Sequence, residues 1–135
     1  MKALSIHPVY AMGIAAGIKT VEIRTWTTQY RGDIVICSTA KKIKDTIPSH
    51  ALAVVTLKDI VPLKKRHLKA AMMDSSFDVY GQYAWILENH RLIKPIPIKG
   101  KLSLWNMDEP IEYVDFKSEE DEERFLEKYW DPITL

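Results

Sequence analysis

The chain is poor in the residues that announce several common chemistries. It has one cysteine, Cys37, so no internal disulfide can form. That residue ends the apolar run Ile34-Val35-Ile36-Cys37, where a small buried hydrophobe is expected rather than a reactive thiol. The four histidines, His7, His50, His67 and His90, are scattered without metal-ligand spacing, and no metal or cofactor is expected. No glycine-rich nucleotide loop, zinc motif or Ser-His-Asp order occurs. No apolar run approaches the roughly 18 to 20 residues of a membrane span. The N-terminus shows no basic stretch leading into an apolar core and cleavage site, so a cytoplasmic protein is expected.

What is present is a single domain's worth of chain, 135 residues, with charge unevenly distributed. Residues 1 to 101 hold 16 Lys and Arg against 7 Asp and Glu, a net +9; residues 102 to 135 hold 3 against 11, a net −8. Such asymmetry points either to a nucleic-acid partner for the basic part or to an acidic tail packed on a basic body.

Local signals set the element order. Lys2 to Ile6 reads as a strand, and His7-Pro8 opens a helix that Gly17 closes. A second strand spans Lys19 to Trp26, and a buried strand spans Asp33 to Ser38. Ala51 to Val61 is β-branched and ends at Pro62. Lys64 to Met73 has Leu68, Ala71 and Met72 at helical spacing. After a loop come two strands, Tyr83 to Leu92 and Ile96 to Leu104, separated around Pro95 and Pro97. Ser118 caps a last helix reaching Trp130, with Phe125, Leu126, Tyr129 and Trp130 as its apolar face. Short strands with few helices and no βαβ alternation indicate an α+β protein on a small mixed sheet or barrel.

The most informative stretch is Lys19-Thr20-Val21-Glu22-Ile23-Arg24-Thr25-Trp26. Strand parity sends Thr20, Glu22, Arg24 and Trp26 to one face and Val21 and Ile23 to the other. A carboxylate, a guanidinium and an indole then stand side by side. The same parity puts Lys19 on the opposite face unless the strand begins irregularly at Gly17-Ile18.

Ser5-Ile6-x-Pro8, Gly17-x-Lys19-Thr20-x-Glu22-x-Arg24-x-Trp26, Tyr30-Arg31-Gly32 and Tyr83-x-Trp85-x-Leu87-Glu88-Asn89 follow one another in an order that resembles the ASCH (activating signal cointegrator homology) domain of the PUA-like superfamily. The resemblance covers about residues 3 to 105, leaving an acidic helical extension at about 108 to 135 within one domain of 135 residues. It implies a small mixed β-barrel with flanking helices and a cleft lined by Lys19, Glu22 and Arg24. It also implies a role with RNA or modified nucleotides; some relatives of this kind are ribonucleases and others amidases of acetylated cytidine. The amidase pattern wants a threonine nucleophile three residues after the lysine, where this chain has Glu22; Thr20 and Thr25 are out of register.

Each candidate has two readings. Arg24 is suited to clamp a phosphate or base edge, or to pair with Glu22 as a structural ion pair. Glu22 is suited to act as a general base, or to orient Arg24. Lys19 either holds a phosphate or lies on the surface. Trp26, Tyr30 and Arg31 are suited to stack on an unpaired base, against a reading in which the tryptophan caps the barrel. Lys41, with Lys42 and Lys44, attracts phosphate or is simply solvated. Tyr83 lies at a strand mouth where the cleft opens, whereas Trp85 reads as core. The expectation is an RNA- or nucleotide-binding module. Its alternatives are a ribonuclease with Glu22 as base and Lys19 and Arg24 at the phosphate, or an adaptor whose acidic tail meets a protein partner.

Overall fold

The computed structural model describes all 135 residues. Six strands form one mixed sheet in the order β2-β5-β4-β3-β1-β6. They are β1 (Lys2–Ile6), β2 (Val21–Arg24), β3 (Gly32–Ser38), β4 (His50–Pro62), β5 (Tyr83–Pro97) and β6 (Leu104–Asn106). Only β1 and β3 run parallel; the other neighbours are antiparallel. Three register shifts between β4 and β5, at Ala51/Ala53, Val54/Thr56 and Leu57/Asp59, introduce bulges. Bulges bend the bulged strand and increase local twist, which curls this sheet into a half-barrel.

Helix α1 (Pro8–Ala15) packs into the concave side. Its buried Ala11, Ile14 and Ala15 meet Leu4, Ile6, Ile34, Ile36, Val55 and Trp85 in the main core. Burying a Leu, Ile or Val side chain stabilises by about 1.5–3 kcal/mol, so this cluster dominates the fold energy. Alternation along β1 sends Ala3 to the opposite face, where it meets Val35, Cys37, Ala51, Val54, Ile93, Trp105 and Met107 in a second cluster. Burial pushes the Cys37 thiol up to about 12, in keeping with an inert core residue.

Two expectations fail. Lys64 to Met73 is not a helix: a single 3-10 turn covers Lys65–His67, and the rest is turns. Carbonyls that a helix would use internally face β2 instead. Ala70 O accepts from Thr20 N (2.9 Å) and Val21 N (3.2 Å), and Met72 stands at φ 60°. Leu68 and Ala71 are buried against Val21, Leu63 and Ala84, so their spacing records a core contact without a helix.

The expected break near Pro95 is absent, because β5 runs on to Pro97, and the second expected strand, Ile96 to Leu104, does not form: residues 98 to 103 belong to no strand and β6 starts at Leu104. Ala53 pairs with Leu92 and Ala51 with Ile96, so Pro95 falls within a bulge. Ile98 N donates to Ser49 O, just before β4, and alternation therefore turns the Pro97 nitrogen outward, where no donor is needed.

The acidic tail docks through backbone and apolar contacts more than through charge. Lys94 N donates to Glu112 O and Val114 N to Leu92 O, laying residues 111 to 114 along the outer edge of β5. Helix α2 (Glu119–Phe125) starts at Ser118, whose Oγ accepts from Asp121 N at 3.1 Å, and widens to a π-turn over Leu126–Trp130. Phe125 is buried between Phe116 and Tyr129. Between tail carboxylates and body cations there is one salt bridge, Lys94–Glu112 at 3.0 Å.

Candidate functional site

A turn of chain, rather than strand parity, places Lys19. Helix α1 ends in a Schellman motif: Ile18 N donates to Gly13 O and Gly17 N to Ile14 O, both at 3.0 Å, with Gly17 at φ 78°. Lys19 N also donates to Gly13 O, and β2 begins only at Val21. The strand therefore has the irregular start that frees Lys19 from alternation, and its side chain turns inward with a relative exposure of 1%.

The ammonium is well held. Lys19 Nζ donates to Ala71 O at 2.6 Å, lies 3.5 Å from Glu22 Oε1 and sits 4.8 Å from the centre of the Tyr10 ring. Burial lowers its pKa from 10.5; Glu22 opposes this by charge and hydrogen bonding, while Arg24 adds to it. Glu22 Oε2 meets Arg24 Nη2 at 3.0 Å, and the same Nη2 donates to Ser5 O at 3.0 Å. Glu22 thus has one cation on each oxygen, in a site where its side chain is 8% exposed. The Nε of Arg24 is buried and has no acceptor in the protein.

Cross-strand pairing completes the face. Glu22 stands opposite Trp85 and Arg24 opposite Tyr83, so all four side chains share one side of the sheet. Trp85 is core. Trp26 packs edge-on to it at 4.7 Å, and the Trp85 indole donates to Trp26 O at 3.2 Å, which fixes the half-buried Trp26 ring. Tyr30 hydroxyl donates to Asp33 O at 2.6 Å; burial and the Asp33 charge raise its pKa. Arg31 closes its own turn: Nη1 donates to Thr28 O and Tyr30 O at 2.8 Å, and Nη2 lies 3.5 Å from Asp59. Lys41 stands exposed on the loop after β3.

The structure therefore brings Lys19, Glu22, Arg24, Trp26 and Tyr83 to one region, with Tyr30 and Arg31 on the turn that follows. Lys41 belongs to a different loop. Sequence reasoning gave no place in the site to Tyr10 or the Ala71 carbonyl, and it assigned Met72 only to the apolar side of the expected helix. Met72 lies against helix α1, its Sδ 2.6 Å from where a Cβ on Gly13 would be. No local pattern signals the Ala71 or Met72 contact, because both come from the irregular segment misread as helix. No three His, Cys, Asp or Glu side chains converge as a metal site requires.

A curled mixed sheet with one helix in its concave side, and a charged network at the start of β2, defines a PUA-like α+β domain. The ASCH domain family model matches residues 4–131, and the chain belongs to that family. The match extends past Trp105 and takes in most of the acidic tail. The chain is similar to human activating signal cointegrator 1, 29% identical over 130 residues; the match covers 80% of this chain but only 22% of that protein. Among solved structures, it is similar to the ASCH protein of Zymomonas mobilis, with a TM-score of 0.60 at 19% identity over 93% of each chain. A single-residue variant of that protein gives a TM-score of 0.57 at 17% identity over 94% of each chain. These likenesses establish the fold.

Proposed function

We propose that this domain binds single-stranded RNA or a modified nucleotide, held against the face around Arg24, Trp26 and Tyr83, with the buried Lys19–Glu22 pair behind Arg24. The observation that carries the reading is Arg24. Its Nη2 is fixed by Glu22 and Ser5 O, while the side chain stays 24% exposed and its Nη1 has no partner in the protein. An arginine fork held on one side and free on the other suits a phosphate or base edge. Trp26, fixed by Trp85, supplies a ring for a base to stack on. Family membership and the net +9 of the first 101 residues favour the same partner.

Fluorescence anisotropy with a labelled single-stranded RNA, titrated over salt, tests this. The expected result is binding whose logarithm falls linearly with the logarithm of salt concentration. Arg24→Ala and Trp26→Ala should each weaken binding by about tenfold while leaving the fold intact by circular dichroism. Absence of binding, or binding indifferent to salt, overturns the proposal.

The ribonuclease alternative asks Glu22 to take a proton. Against it, Oε1 faces Lys19 and Oε2 faces Arg24, so both oxygens are already engaged. An RNA-cleavage assay decides: cleavage by the wild type that Glu22→Gln abolishes would replace the binding module with an enzyme.

A further inference from the structure

The lysine and arginine of the β2 network are partly offset by Glu22, and most of the basic charge of the body lies elsewhere. The parallel strands β1 and β3 end together, Ile6 beside Ser38. Around that end, the exit of β3, the entry of β4 and the segment after β5 line an open cleft of about 850 Å³. Its walls include Ser5, Thr39, Ser49, His50, Lys99 and Lys101, and no carboxylate lines it. Neither Lys99 nor Lys101 makes a salt bridge. Lys41 and Lys42, exposed and equally without a salt bridge, directly follow Ala40 of the cavity wall.

This cavity is separate from the proposed RNA face. None of Lys19, Glu22, Arg24, Trp26 or Tyr83 lines it. Alternation puts the Ser5 side chain with Ala3, on the sheet face opposite Leu4, Ile6 and Trp85. Ser5 nevertheless touches both regions: its carbonyl accepts from Arg24, while its buried hydroxyl has no partner. Gly100 lies directly against that hydroxyl, so closely that a Cβ there would collide with it. The His50 ring is fixed by a 2.7 Å bond between Nδ1 and Pro48 O. The apolar part of the wall comes from Ile98 and from Leu102, which is 94% exposed at the cavity rim.

Two wall lysines without salt bridges, two more just beyond the wall, hydroxyl groups and an apolar rim together describe a ligand that is anionic at one end and flat or apolar at the other. The volume lies within the range of small-molecule sites, roughly 300–1,000 Å³. We propose that this cavity is a second binding site, for a nucleoside carrying a phosphate monoester. Lys99 and Lys101 hold the phosphate, and Ile98 and Leu102 cover the nucleoside. The source is either a free mononucleotide or the 5′-phosphorylated end of an RNA strand.

The test is a titration of the isotopically labelled full chain, followed by amide NMR shifts. The probes are the four nucleoside 5′-monophosphates, the matching nucleosides, inorganic phosphate, and one short RNA with and without its 5′-phosphate. A mononucleotide should shift the amides of Ser5, Thr39, Ser49 and Gly100 and bind about tenfold or more tightly than its nucleoside. The double variant Lys99→Ala/Lys101→Ala should lose at least that factor, while Lys65→Ala, at an exposed lysine outside both sites, leaves it unchanged. If the RNA is the source, its 5′-phosphate strengthens binding and moves the same amides; if a free nucleotide, only the monophosphates do. Shifts confined to Trp26 and Tyr83, nucleosides binding as well as nucleotides, or a double variant that binds normally would each overturn the proposal. Unchanged RNA affinity in Arg24→Ala, with these shifts intact, would sink only the proposed RNA face.

Discussion

Replacing Glu22 by glutamine keeps shape but removes the one negative charge that Lys19 and Arg24 share. At 3.5 and 3.0 Å, each attraction is worth about 5 kcal/mol at an effective dielectric of about 20. Against that stands the cost of keeping a carboxylate in a site where its side chain is 8% exposed, which the amide escapes. Removing one partner from a buried pair typically costs about 3–5 kcal/mol, and about 3 is expected here because Arg24 retains some water. The pH dependence is the sharper readout. Both influences that hold the Lys19 pKa up come from Glu22, so Glu22→Gln drives it further below 10.5. A lysine with a depressed folded pKa binds fewer protons folded than unfolded between its folded and unfolded values, so stability rises with pH across that window. In the variant the window opens at lower pH. Urea unfolding of wild type and variant at several pH values between 6 and 9 should show the stability gap narrowing as pH rises. A deficit below about 1 kcal/mol, or one constant with pH, would refute the view that Glu22 neutralises a buried ammonium.

Gly17→Ala forces a side chain into φ 78° and against the His90 ring; a loss of more than about 1 kcal/mol is expected by thermal unfolding. Arg91 bonds both oxygens of Asp33 at 2.8 and 3.1 Å and lowers its pKa below 3.8. A depressed carboxylate adds stability above its unfolded pKa that is lost as pH falls through the folded one. Asp33→Asn should therefore flatten the acid limb of the stability profile below about pH 4. Cys37, buried with its pKa pushed up to about 12, should resist iodoacetamide in the native protein and react on unfolding in urea; native-state labelling would show that the strand opens readily.

Much of the scaffold was legible because its signals are local. Pro8 and Gly17 bound α1 through fixed backbone angles, and Ser118 caps α2 through its own hydroxyl. The errors arose where the deciding partner lies far along the chain. Leu68 and Ala71 keep helical spacing, but their segment's carbonyls serve Thr20, Val21 and Lys19, about fifty residues earlier. Pro97 suggested a strand break, yet β5 has no strand neighbour on that side there, since β2 pairs only with Tyr83 to Ile86. At the site, period two located Glu22 and Arg24 on one face, whereas β2 ends at Arg24 and Trp26 reaches the same region from the chain that follows. The same period excluded Lys19, because a Schellman turn resets the side-chain direction before the strand begins. The cavity beside Ser5 left no compact trace, being assembled from four separated segments.

The position of β1 has a kinetic consequence. One side of this strand pairs with β3, but the other waits for β6, with Lys2 opposite Asn106. The terminal ammonium of Met1 donates to Met107 O, 106 residues away. Closing such a loop carries an entropic cost before any contact offsets it, so the seam between the first and sixth strands should form late and slowly. Ser5, which carries the Arg24 contact and lines the cavity, lies on that strand. Ser5 itself pairs with Cys37 on β3, so a chain whose β1–β6 seam is still open already has the Arg24 contact and the cavity wall in place.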